Sequence, residues 1–187
     1  GPNISKLVEL STSIPDHFHG RVAIKLGDNV STDHILPGGE KILALRSNTP
    51  EISQYCFVNV DKDFVKRVKE FGGGFIVGGK NYGQGSSREH AAIAPKFFGI
   101  KAVLAMDFAR IHRSNLINFG ILPLTFTDKK DYDKIKQGDE LEVKNIQAGI
   151  NGNANAIHVE NKTTGEKISC TLNLKDREME ILKHGNL

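Results

Sequence analysis

The chain has 187 residues, a formal net charge of +3 at pH 7, and 39% hydrophobic and 25% charged residues, which suits one soluble domain with a sizeable core. So weak a charge, with no basic run, argues against nucleic acid; no apolar run approaches the roughly 20 residues of a membrane span, and no signal peptide is visible. Cys56 and Cys170 lie far apart, without the spacing of a zinc site, a cluster or a redox pair, so they read as buried thiols of a reducing, cytoplasmic compartment, and no metal ligand is expected within the chain.

The start, Gly1-Pro2-Asn3-Ile4, lacks an initiator methionine and leads into the polar Ser11-Thr12-Ser13-Ile14-Pro15-Asp16. Either a tag has been removed or the chain is a piece of a longer polypeptide, with residues 1–19 a linker from preceding domains and residues 20–187 one domain. Partial alternation over residues 21–26 predicts the first strand, turned by Gly27-Asp28-Asn29. Ser31, Thr32, Asp33 and His34 then place two hydroxyls, a carboxylate and an imidazole side by side, closed by the breaker Pro37-Gly38-Gly39. Such a loop serves as a cap or turn, or supplies polar groups to a site that Arg46 could share. Phe57-Val58-Asn59-Val60 reads as a short strand. Asp61 reads as the cap of a helix carrying Phe64, Val65 and Val68, which ends before Gly72-Gly73-Gly74.

The run Gly74-Phe75-Ile76-Val77-Gly78 is strand-like and stops at Gly79-Lys80-Asn81-Tyr82-Gly83-Gln84-Gly85-Ser86-Ser87-Arg88-Glu89-His90. Glycines at 79, 83 and 85 permit positive φ and close approach, and the hydroxyls and guanidinium follow at the expected start of a helix over residues 87–98. Unpaired amides and the positive end of the helix dipole favour an anion there. Ser86-x-x-Glu89 also reads as a capping box, but a cap needs neither Ser87 nor Arg88. The third glycine of a dinucleotide loop and the Gly-Lys-Ser/Thr of a phosphate loop are both missing. Arginine matches a planar carboxylate through its fork, so a small polycarboxylate is the expected ligand.

Residues 102–105 predict a buried strand, 108–119 a second helix and 121–126 a further strand, which together imply an α/β layer with parallel pairing. From residue 141 the texture becomes all-β, with strands over 141–143, 156–160 and 167–174 joined by Asn-Gly and Thr-Gly turns. An amphipathic helix closes the chain over residues 175–184. The expected architecture is α/β, a β/α layer combined with a β-barrel or sandwich.

With Ser31-Thr32-Asp33-His34, Tyr82-Gly83-Gln84-Gly85-Ser86-Ser87-Arg88-Glu89-His90 and Phe108-Ala109-Arg110-Ile111-His112-Arg113-Ser114-Asn115 in view, the sequence resembles the swivelling C-terminal domain of the aconitase superfamily over most of its length. The resemblance implies a β/β/α swivelling fold that closes over a [4Fe–4S] cluster held by other domains, the same polypeptide or a large subunit. By position, Ser86 resembles the alkoxide base that takes the α-carbon proton; Ser87, Arg88, Arg46 and Thr32 resemble substrate-binding groups; Asp33 and His34 resemble catalytic residues of the facing loop. The spacing from Asp33 to Arg46 is slightly longer than in the animal enzymes. Because two isolated cysteines cannot ligate the cluster, the chain by itself is expected to be inactive. Tyr82-Gly83-Gln84-Gly85 resembles the single-chain aconitases, which implies a domain of a bacterial aconitate hydratase converting citrate to isocitrate through cis-aconitate. The alternatives are the small subunit of 3-isopropylmalate dehydratase or homoaconitase and, of another class, a non-catalytic carboxylate-binding module.

Overall fold

The computed structural model describes residues 14–184; most of the connector expected over residues 1–19 lies outside them. Seven strands close into one barrel in the order β1-β2-β3-β4-β7-β6-β5. They are β1 (Phe18–Lys25), β2 (Gly74–Val77), β3 (Ile100–Ala105), β4 (Leu122–Phe126), β5 (Glu140–Lys144), β6 (His158–Asn161) and β7 (Lys167–Thr171). Strands β1 to β4 pair in parallel, and the rest, including the β5–β1 closure, pair antiparallel. The open choice between barrel and sandwich is thus resolved as a barrel. Strand β1 takes in Phe18 and His19, and Asp16 docks by accepting the Ile146 amide through its carbonyl at 2.9 Å.

Parallel strands need crossovers, and these carry the helices. Between β1 and β2 lie α1 (Thr32–Ile35), α2 (Glu40–Leu43), α3 (Thr49–Ser53) and α4 (Phe64–Phe71); α5 (His90–Phe97) joins β2 to β3, and α6 (Arg110–Asn118) joins β3 to β4. Helices α7 (Ile146–Ile150) and α8 (Asp176–Lys183) belong to the antiparallel half. Side-chain alternation divides the core in two. Phe75, Val77, Ala102 and Leu104 point into the barrel, whereas Ile76, Val103 and Ala105 point outward under the helices. A register shift between Val22 and Ile24 turns β1 over, so that Val22 faces the barrel and Ile24 the helical layer.

The strand expected at Phe57-Val58-Asn59-Val60 is instead a turn. Phe57 has a φ of 57° and donates its amide to the Ile35 carbonyl at 2.8 Å, which rules out an extended run. The apolar alternation there reflects Phe57 packing on Phe64, with ring centroids 4.9 Å apart.

Candidate active site

The loops that leave the carboxyl ends of β1, β2 and β3 are laced together, and this edge of a parallel sheet is where ligands bind in open α/β folds. Ser31 bridges to Gln84, and Tyr82 to Phe108. The Thr32 amide donates to Gln84 O at 2.9 Å, the Lys80 carbonyl accepts from Asn29 at 2.8 Å, and the Ala109 amide donates to Tyr82 O at 2.9 Å. Gln84 is part of the lacing: its Nε2 donates to the Asn29 carbonyl at 3.2 Å and its Oε1 accepts from Asn81 Nδ2 at 2.8 Å.

The two sequence constellations meet here. Thr32 is buried, and its hydroxyl donates to the Ser86 carbonyl at 3.1 Å, so it holds the backbone of the serine. Arg88 Nη1 donates to Asp33 Oδ1 at 3.0 Å and to the Leu36 carbonyl at 3.0 Å. The Gly38 amide donates to the same Asp33 oxygen at 3.0 Å. The hydrogen bond from Arg88, with that from Gly38, holds the Asp33 carboxyl below the usual carboxylate range. His34 caps its own helix: Ser31 Oγ accepts from the His34 amide at 3.0 Å, and His34 Nδ1 accepts from the Ser31 amide at 2.9 Å. This reciprocal pairing, with histidine in the place usual for glutamate, forms α1.

Helix α5 begins at His90, later than the sequence implies, with Glu89 as a cap that makes no side-chain bond. The Ser86–Glu89 capping box is therefore not formed. Ser86 and Ser87 are exposed, and neither hydroxyl has a hydrogen-bond partner among the described residues. The amides from Gly85 to His90 likewise find no backbone acceptor there, so hydroxyls and amides alike remain open to an anion. The turn that presents them needs glycine. Gly83 has a φ of 91°, and a Cβ there would lie 2.4 Å from His112 Cβ.

A cavity of about 310 Å³ opens beside Arg88. It brings together Arg46, Ser87 and Arg88 against an apolar wall of Leu36, Ile42 and Leu43. Ser86, Thr32, Asp33 and His34 do not line it; Asp33 reaches it only through its bond to Arg88. The Arg46 carbonyl is bonded to His90 Nε2 at 2.8 Å, which ties the arginine's backbone to α5. Sequence reasoning missed Gly38, read only as a breaker, and the apolar wall, whose residues show no motif.

Residues 39–129 match the family described as the aconitase C-terminal domain. The chain is 41% identical over 165 residues to 3-isopropylmalate dehydratase small subunit 2 of Archaeoglobus fulgidus, covering 88% of this chain and 95% of that protein. The chain belongs to the aconitase C-terminal domain family. Other relatives of this domain are the methanogen homoaconitase small subunit of Methanocaldococcus jannaschii, 43% identical over 88% of this chain and 86% of that one, and the probable mitochondrial aconitate hydratase of Caenorhabditis elegans, 33% identical over 89% of this chain and 24% of that one. The fold agrees with the crystal structure of a 3-isopropylmalate dehydratase from M. jannaschii, with a TM-score of 0.74 and 38% identity, covering 91% and 90% of the two chains.

The described residues do not fit an iron–sulfur cluster. Among the described residues no group of three or more His, Cys, Asp or Glu side chains is gathered for a metal. Cys56 is buried under the helices and Cys170 in the barrel, and burial pushes both thiols well up, away from the thiolate a cluster needs.

Proposed function

We propose that this chain is the small subunit of a hydro-lyase of the 3-isopropylmalate dehydratase or homoaconitase type. It supplies a base and carboxylate-binding groups to a partner that carries a [4Fe–4S] cluster. The observation that carries the reading is the 41% identity to a small subunit over 95% of that protein's length, against 33% to the aconitate hydratase. The alternative weighed from the sequence thus has better support than the single-chain aconitase. The apolar wall beside Arg46 and Arg88 suits a substrate that joins carboxylates to a branched hydrocarbon group. The aconitase reading keeps one observation in its favour, the Tyr82-Gly83-Gln84-Gly85 turn, whose Gln84 is bonded into the lacing.

In this reading Ser86 takes the α-carbon proton. Its hydroxyl must be ionised, which needs positive potential nearby, and the open amides of residues 85–90 together with Arg88 provide it. Ser87, Arg46 and Arg88 bind carboxylates, Thr32 fixes the Ser86 backbone, and His34 shapes the loop. Among the described residues nothing offers the cluster a seat. A non-catalytic carboxylate binder would bind the same acids without turning any of them over. A cytoplasmic location goes with the proposal; among the described residues no helix is long and apolar enough to cross a membrane.

The test is anaerobic assembly with a cluster-bearing partner, followed by turnover of 3-isopropylmalate, homocitrate, citrate and isocitrate. Turnover of 3-isopropylmalate or homocitrate, with none by the chain alone, is expected. Turnover restricted to citrate and isocitrate would move the protein to the aconitase reading.

A further inference from the structure

Arg88 is held in a way that divides its donors. Nη1 has two hydrogens, and both are taken, one by Asp33 Oδ1 at 3.0 Å and one by the Leu36 carbonyl at 3.0 Å. Nε and Nη2 have no partner among the described residues. Those two groups form the edge of the guanidinium whose parallel N–H bonds match both oxygens of one carboxylate.

Gly38 crowds the group as well. A Cβ on Gly38 would lie 2.3 Å from Nη2, 2.5 Å from Cζ and 2.6 Å from Nη1, so the guanidinium packs closely against the bare Cα of Gly38. The Gly38 amide bonds the same Asp33 oxygen that accepts from Nη1. One carboxylate oxygen therefore ties the floor and the arginine together. Arg88 lines a cavity together with Arg46 and Ser87, which bring a second cation and a hydroxyl to the same site.

We propose that Asp33 is a positioning residue: with Leu36 O and Gly38 it clamps Arg88 through Nη1 and presents the Nε–Nη2 edge to a substrate carboxylate. This rests on the reading of Arg88 as a carboxylate-binding group, and it departs from the catalytic role that the family resemblance gave Asp33. A proton-transferring aspartate would gain from a raised affinity for protons, whereas Arg88 and the Gly38 amide lower that of Asp33. An aspartate that merely competed with substrate would take the Nε–Nη2 edge, which it leaves open.

The experiment compares Asp33→Asn, Asp33→Ala, Gly38→Ala and Arg88→Gln in the assembled enzyme, with 3-isopropylmalate and citrate as substrates and a thermal melt as the check on folding. Asparagine keeps an amide oxygen for both contacts, and alanine removes them. The expected result is an Asp33→Ala rise in KM of about 10- to 100-fold, the range for a lost hydrogen bond to a charged group, with a smaller fall in kcat. Asp33→Asn is expected to restore KM to within about threefold, and Gly38→Ala to raise it as Asp33→Ala does. The proposal is overturned if Asp33→Asn loses kcat as severely as Asp33→Ala at unchanged KM, because the charge and not the clamp would then matter. It is also overturned if neither Asp33 variant moves KM while Arg88→Gln does, an outcome that spares the role of Arg88. Unchanged KM in Arg88→Gln removes that role and this inference together.

Discussion

Both ring nitrogens of His112 are buried without a partner among the described residues, while the ring packs against Tyr82 with centroids 5.5 Å apart and lies under Gly83. Burial lowers its pKa to about 4, against about 6.5 in an unfolded chain. The unfolded state therefore binds more protons between those values, and stability falls as pH falls through that window, by up to about 3 kcal/mol for this group. His112→Phe keeps a ring on Tyr82 and removes the titration. Urea unfolding at about pH 7 and about pH 4.5 should show a smaller loss of stability in the variant than in the parent. Nothing in the run from 110 to 115 marks in the sequence which side chain turns inward. Ser86, Ser87, Arg88 and Asp33 stood out as candidates because a cap or a turn alone does not call for two serines and an arginine after a glycine-rich turn. The contacts of Arg88 with Leu36 O and Gly38 were not legible, since a backbone carbonyl and a missing Cβ leave no sign in a sequence.

The turn between β2 and α5 is the element on which the site depends, and its geometry comes from glycine. Gly83→Ala must place a side chain at a φ of 91° and against His112 Cβ at 2.4 Å. The combined strain and overpacking should cost about 2–4 kcal/mol. Gly27→Ala, where an added methyl meets open space, should stay within about 0.5 kcal/mol of the parent. Denaturant melts of the two variants check this, and equal stabilities would show that the turn relaxes. Strand and helix order around this turn was readable from apolar runs punctuated by glycine. The helix start was placed too early because Ser86-x-x-Glu89 satisfies the capping pattern, yet here the serine is left open and the helix waits for His90. The false strand at residues 57–60 arose from alternation alone, and the positive φ of Phe57 is a choice that local pattern does not reveal.

At the scale of the molecule, one barrel carries the candidate site at the edge of its parallel half and has an antiparallel half that closes it. The sequence showed the change of texture near residue 141 but not the closure, which depends on β5 pairing with the distant β1, Phe18 opposite Val143. Loops from three parallel strands meet at one edge, so the hydroxyls, the amides and Arg88 are set before any partner arrives. In the proposed enzyme a cluster-bearing partner would complete the chemistry. The most direct test is Ser86→Ala in the assembled, cluster-bearing enzyme, with kcat and substrate affinity measured together. The account predicts a fall in kcat of at least about 100-fold with affinity nearly unchanged, since carboxylates are held by Arg88, Arg46 and Ser87. A variant that keeps most of its kcat would contradict the assignment of Ser86 as the base.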